Sequence, residues 1–285
     1  MSESGEMTRR ALLCRGIIGA SALRMPIAEP GARSVIRLRM DGGPSQYDTW
    51  APDPGGLFRA IPTTSPALRF CEHMPGLAQQ AHRLAVLADV SVPEINHRRA
   101  RYLVCTGVQA PPSVVPELPL PSYSPATQGR VPTSAALRYG ASDFGRQCFE
   151  ALTHIERGAR FAEAVLPGWD THTDAAPRLR RLLAAMDRAM SALLDDLAAR
   201  DLLRSTLVLW MGDFGRTQAV NCMGGRDHDP ERSCVVLAGA GVRGGVMVRR
   251  EGARLADVFA TIAAVGPLYR DRRTAKGEPI RSLLA

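Results

Sequence analysis

Five short apolar runs punctuate the chain: "SVIRLRM" (34–40), "RLAVLADV" (83–90), "RFAEAVL" (160–166), "STLVLWM" (205–211) and "SCVVLAGAGV" (233–242). Runs of this length, rich in branched residues and bounded by turn-forming residues, read as buried strands. Between them, apolar positions recur at helical spacing. "FGRQCFEALTHIERG" (144–158) is one such segment, and 176–203 is the clearest. There Leu179, Leu182, Leu183, Met186, Met190, Leu193, Leu194 and Leu197 form one stripe at i, i+3, i+4, i+7, the mark of a helix packing one face on a core. A last helix is predicted at about 254–265. Strands alternating with helices predict an α/β three-layer sandwich, with a largely parallel central sheet covered on both faces. Residues 108–134 carry many prolines and no period, so they read as a loop or linker within a domain spanning 34–285.

Composition narrows this picture. Hydrophobic residues make up 45% and charged residues 22% of 285, ordinary values for a globular domain with a single large core. The net charge is +8, and Lys276 is the only lysine. The arginines are scattered rather than gathered into a block, which argues against a nucleic-acid partner. None of the six cysteines forms a CxxC pair, which argues against a zinc ribbon; most are expected to be small buried hydrophobes. No run is long enough to span a membrane. Residues 1–33 include "TRRALLCRGIIGASAL", whose paired arginines precede a mildly apolar stretch. This reads as a twin-arginine export signal leading to the periplasm, or else as a basic tail on a cytoplasmic protein.

Ligands of parallel α/β sheets bind beyond the carboxyl ends of the strands. Asp41 follows the first run in "DGGPS", and a loop after the second leads to His97. Asp170 and His172 follow the third in "GWDTH". Asp213 and Arg216 follow the fourth in "GDFGRT", and His228 lies just before the fifth in "GRDHDP". Carboxylates and neutral imidazoles together make sites for divalent cations. Asp170 and His172, two apart, would face one ion from extended backbone; alternatively, Asp170 or Thr171 caps the next helix. Asp213 is a ligand or a loop acid paired with Arg216, and Arg216 could grip an anionic group. His228 is a ligand, with Asp227 or Asp229 orienting its second nitrogen, or a turn histidine. Asp41 is a ligand or a turn residue. His73, His82 and His154 lack such company and read as structural or surface residues.

Taken in order, "GGPSQYDTWAPDP", "GWDTH", "MGDFGRT" and "GRDHDP" resemble a bacterial family known as domain of unknown function 1501, which is similar to the alkaline phosphatases and sulfatases. The resemblance covers roughly 34–107 and 141–285. It implies an alkaline-phosphatase-like fold with one or two metal ions at the strand ends, and hydrolysis of phosphate or sulfate esters. By position it implies Asp41, Asp170, His172, Asp213 and His228 as metal ligands, with zinc expected first and manganese, calcium or iron as alternatives. The nucleophile of that superfamily stands ten residues before the glycine of a "TG" pair. Here that glycine is Gly107 and the position holds His97, which would serve as ligand, nucleophile or general base. Water activated by the metal is the simplest replacement for a hydroxyl or thiol nucleophile. Arg98 or Arg216 would balance charge on the ester.

This chain departs from the pattern in several places. Phe214 stands where the resemblance implies histidine, Gln46 likewise, and Arg37 and Arg39 interrupt a strand expected to be wholly apolar. The expected function is therefore metal-dependent hydrolysis of a small anionic ester, free or carried on a polysaccharide. The alternative is a non-catalytic binding protein that keeps the fold.

Overall fold

The structure is a computed structural model and describes residues 31–111, 132–266 and 277–285. The export-signal reading, most of the proline-rich segment and Lys276 lie outside the described residues. The elements in chain order are β1 (Ser34–Asp41), β2 (Ala60–Pro62), β3 (Arg69–Cys71), α1 (Pro75–Gln80), β4 (Leu84–Val90), α2 (His97–Thr106), α3 (Thr133–Tyr139) and α4 (Asp143–Glu156). They continue with β5 (Phe161–Pro167), α5 (Ala175–Ala199), β6 (Thr206–Gly212), β7 (Gly215–Arg216), β8 (His228–Asp229), β9 (Ser233–Gly239), β10 (Val246–Arg249) and α6 (Leu255–Val265).

Six strands form the central sheet in the order β10-β4-β9-β6-β1-β5. β1 runs parallel to both β5 and β6, and β4 runs parallel to β10; only β9 is reversed, lying antiparallel to β4 and β6. Alternation along each strand splits the core in two. Ile36, Leu38, Val208, Trp210 and Val236 face α1, α3, α4 and α5. Val35, Leu207, Leu209, Val235 and Leu237 face α2 and α6. The result is a three-layer α/β/α sandwich with a largely parallel sheet. In the predicted stripe of α5, seven residues are buried, and Leu182 packs against the core at the helix margin.

The reversal of β9 decides where the chemistry falls. A strand running backwards begins at the rim where its neighbours end. The segment before β9, with His228, therefore joins the segments that follow β1, β4, β5 and β6.

Several expectations need correction. The predicted strand 233–242 ends at Gly239, where a φ of +91° starts a turn. The helix predicted to 203 stops at Ala199. The proline-rich loop predicted to 134 gives way to α3 at Thr133. β1 is not the centre of the sheet but next to edge strand β5, and this explains Arg37 and Arg39. Glu163 on β5 stands in register with Arg37 and accepts from both guanidiniums, at 2.7 Å and 3.1 Å. Arg37 also donates to the Cys105 carbonyl at 3.1 Å. The buried charges are paired, so the desolvation cost feared for an unpaired arginine is offset. All five described cysteines are free thiols; Cys71, Cys148 and Cys234 are buried and Cys222 is exposed. No helix among the described residues is long and apolar enough to cross a membrane.

Candidate functional site

The loops at the rim are brought together by backbone contact. The amide of Trp169 donates to the Asp41 carbonyl at 3.0 Å, which lays "GWDTH" against "DGG". Gly42 is needed there: its φ is +110°, and a Cβ would lie 2.3 Å from the Asp170 amide nitrogen. Gly225 plays the same part for "GRDHDP", since its Cβ would lie 2.2 Å from the His172 carbonyl carbon. Trp169 is fully buried in the core under α5, and Phe214 in the core under α2 and α6, so each loop is pinned from below.

On this platform His97, Asp170 and His228 converge, with no two chosen ligand atoms more than 4.8 Å apart. His97 Nε2 lies 3.2 Å from His228 Nε2 and 3.3 Å from Asp170 Oδ1, and His228 Nε2 lies 3.5 Å from that oxygen. Ligands about 2.1 Å from a tetrahedral ion sit about 3.4 Å from one another. His172 adds a further Nε2, 3.0 Å from both His228 Nε2 and Asp170 Oδ1. Three of the six histidines of the chain thus meet one carboxylate.

Each imidazole is oriented through its other nitrogen. His97 Nδ1 faces Asp213 Oδ2 at 2.9 Å, His172 Nδ1 faces Asp227 Oδ1 at 3.3 Å, and His228 Nδ1 faces the Ile95 carbonyl at 3.1 Å. Carboxylates and carbonyls only accept, so a neutral ring donates from Nδ1 and leaves Nε2 as a bare lone pair. Three nitrogen lone pairs and an anionic oxygen then point at one another. Arg216 donates to two of them, His172 Nε2 at 3.3 Å and Asp170 Oδ1 at 2.7 Å, which leaves the lone pairs of His97 and His228 for a proton or a cation; orientation by outer carboxylates and carbonyls is what metal-binding histidines receive.

The local charge favours the metal-competent protonation states. Burial pushes the Asp170 carboxyl up, but the hydrogen bond and charge of Arg216, with His97 and His172 beyond, outweigh it and hold it at about 2. Burial and the Arg216 charge, then that of His97, push His228 below the ordinary imidazole range.

The predicted residues divide into those in the cluster and those that support it. Asp213 is completely buried and accepts from the Gly42 amide at 3.0 Å and from His97, so it stands behind that histidine and not in the cluster. It does not pair with Arg216. Arg216 is 1% exposed; it donates to Asp170 Oδ1 at 2.7 Å, to the Gly43 carbonyl at 2.8 Å, to the Arg226 carbonyl at 3.2 Å and to the Gly42 carbonyl. With these donors committed to the protein, it holds Asp170 and three loops in place and is not free to grip a substrate. Asp41 is not among the converging residues and pairs instead with Arg39 and Arg101. The expected capping by Asp170 or Thr171 does not occur, because Asp174 occupies that position of α5. Nor does Asp227 or Asp229 orient His228; Ile95 does so, and Asp227 serves His172 instead. Arg98, the other candidate for charge balance, is exposed on α2.

Two supporting residues escaped the sequence reading of chemistry. Asp48 and Arg226 form a buried bidentate ion pair with both contacts at 2.8 Å, and this explains "YDTW". Arg226 also donates to the Thr217 and Gln218 carbonyls, and its amide donates to the Thr171 carbonyl at 3.2 Å. The pair ties the first loop to the segment carrying His228. Gln46 is fully buried and donates to Asp89 at 2.6 Å, so it belongs to the end of β4 and not to the histidine cluster.

Fold and site together define an α/β protein with an imidazole–carboxylate cluster at the rim of a largely parallel sheet. The chain belongs to the family described as "Protein of unknown function (DUF1501)", which matches residues 32–131 and 125–250. Comparison with curated proteins found no match. Among solved structures, the chain is similar to Ps i-CgsB in complex with k-i-k-neocarrahexaose, at 12% identity and a TM-score of 0.55, over 88% of this chain and 75% of that one. The structure of Ps i-CgsB alone is similar at 13% identity and a TM-score of 0.54, over 87% and 75%. At this identity the likeness concerns the fold.

Proposed function

We propose that the protein is a metal-dependent hydrolase of phosphate or sulfate esters with an alkaline-phosphatase-like fold. The observation that carries this reading is the convergence of three acceptor-oriented imidazoles on Asp170. His97, His228 and Asp170 would hold the ion, with His172 beside them. Nitrogen and carboxylate donors suit zinc first, with manganese, iron and calcium as alternatives. When bound, the ion would supply Lewis acidity toward an ester oxygen and toward water. The chain's own residues do the rest. Asp213, Asp227 and the Ile95 carbonyl fix the imidazole tautomers, and Arg216 keeps Asp170 ionised and aimed. His172, with its side chain 41% exposed, is the histidine best reached by a substrate from solution. A fold of this kind solved with a carrageenan-type hexaose is compatible with an ester carried on a polysaccharide.

A second reading has its own support. Arg216, expected to bind the anionic group, is fully engaged, and Asp41, expected as a metal ligand, is paired with Arg39 and Arg101, so neither is available for the role the sequence suggested. That favours a binding protein that keeps the ion and the fold without turnover. Elemental analysis of the purified chain, followed by assays on aryl phosphates and aryl sulfates, separates the readings. The hydrolase predicts near-stoichiometric metal, metal-dependent turnover, and loss of both in His228→Ala. Bound metal with no turnover on either ester class would support the binding protein, and a metal-free chain that cannot be loaded would refute both.

A further inference from the structure

We infer that the centre takes one divalent ion, and that Arg101, with Arg39, fills the role of a second cation for the remaining acids of the rim. The inference rests on the metal reading of the same site. Those acids are Asp41 and Asp213. Asp213 spends Oδ2 on the Gly42 amide and on His97, while its Oδ1 has no hydrogen-bond partner among the described residues. To gain another ligand beside that oxygen, a second ion would need the Asp41 carboxylate. That carboxylate is already held: its Oδ1 pairs with Arg39 and lies 3.4 Å from Arg101 Nε.

Arg39 is anchored by Glu163 at 3.1 Å. Arg101 stands four residues after His97 on α2, hence on the same helix face, and its Nε is buried, with Asp41 as its ion-pair partner among the described residues. Asp41, Asp213 and Glu163 face Arg37, Arg39 and Arg101, a balance of three against three that leaves no net negative charge to attract a dication. Phe214 adds to this. Its buried ring lies 4.7 Å from His97 and 4.5 Å from His228 between centroids, and a phenyl ring offers an ion no nitrogen or oxygen of its own.

The test is a zinc titration of the full chain by calorimetry, with zinc content measured after desalting. One zinc per chain is expected. R101Q removes one of the two cations beside Asp41 and tips the local balance to net negative, so its ratio should rise above one; R101K keeps the charge and should stay at one. F214H leaves the guanidinium pairs intact and should also stay at one. Two zinc ions in the unaltered chain, or in F214H, would overturn the inference while leaving the metal centre standing. So would a ratio of one in an R101Q protein whose unfolding temperature matches the parent. A chain that takes up no zinc would overturn the metal reading beneath it.

Discussion

Replacing Asp48 by asparagine tests the scaffold that aligns the site. Both partners of the Asp48–Arg226 pair are at most 2% exposed, and two contacts of 2.8 Å join them. Removing one partner of such a pair strands the other as a buried charge, at a cost of about 3–5 kcal/mol. Arg226 would keep the Thr217 and Gln218 carbonyls as acceptors, which places the loss near the lower end, about 3 kcal/mol. For a domain of this size, 1 kcal/mol moves the unfolding temperature by about 2–4 °C, so a fall of roughly 6–12 °C is expected. The effect should reach the ion as well. Arg226 is bonded through its backbone to Thr171 and Arg216, so zinc affinity should drop about 10–100-fold, the range for lost outer support. Thermal melts followed by circular dichroism, with and without zinc, measure both effects. The double variant D48N/R226Q should lose less than the sum of the single losses. An unfolding temperature within 1 °C of the parent, by roughly the same conversion below 1 kcal/mol, together with unchanged zinc affinity, would refute the assignment of this pair as the clamp.

Other substitutions probe separate parts of the account. Gly225→Ala drives a methyl group into the His172 carbonyl, and should lower both the unfolding temperature and zinc uptake; a fully loaded variant as stable as the parent would show that the close approach is dispensable. His97→Ala and His228→Ala should abolish the stabilisation that zinc confers on the parent, whereas His82→Ala, away from the cluster, should retain it. Asp257 supplies a pH test. Burial pushes its carboxyl up, but the Glu278 and Arg254 amides outweigh this and hold it below the ordinary aspartate value. Its contribution is therefore present above that value and lost as pH falls through the lower folded value. Asp257→Asn should be less stable than the parent at neutral pH and should lose less stability on acidification below about 4; parallel acid profiles would contradict that role.

Much of the architecture was legible because it rests on periodicity. Runs such as "STLVLWM" and the α5 stripe declare strand and helix through spacing alone, and the rim residues follow from where strands end. β10 and α1 were missed because four to six residues carry too little pattern. The direction of β9 is set by neighbours on both sides, which no local signal encodes, although the chemistry before it was still noticed. Pairings were the least legible part. In a chain with 36 basic residues, spacing does not say that Arg216 meets Asp170 and not Asp213, or that Arg39 and Arg101 take Asp41. Those choices come from strand register and helix placement. Asp48 was noticed as part of a motif, but its partner lies 178 residues away.

The most direct test is a crystal grown with zinc and measured at the zinc absorption edge. A single strong anomalous peak is predicted at coordination distance, about 2.0–2.2 Å, from His97 Nε2, His228 Nε2 and Asp170 Oδ1. An anomalous map with no peak touching these atoms, under conditions where zinc is bound elsewhere on the chain, would contradict it.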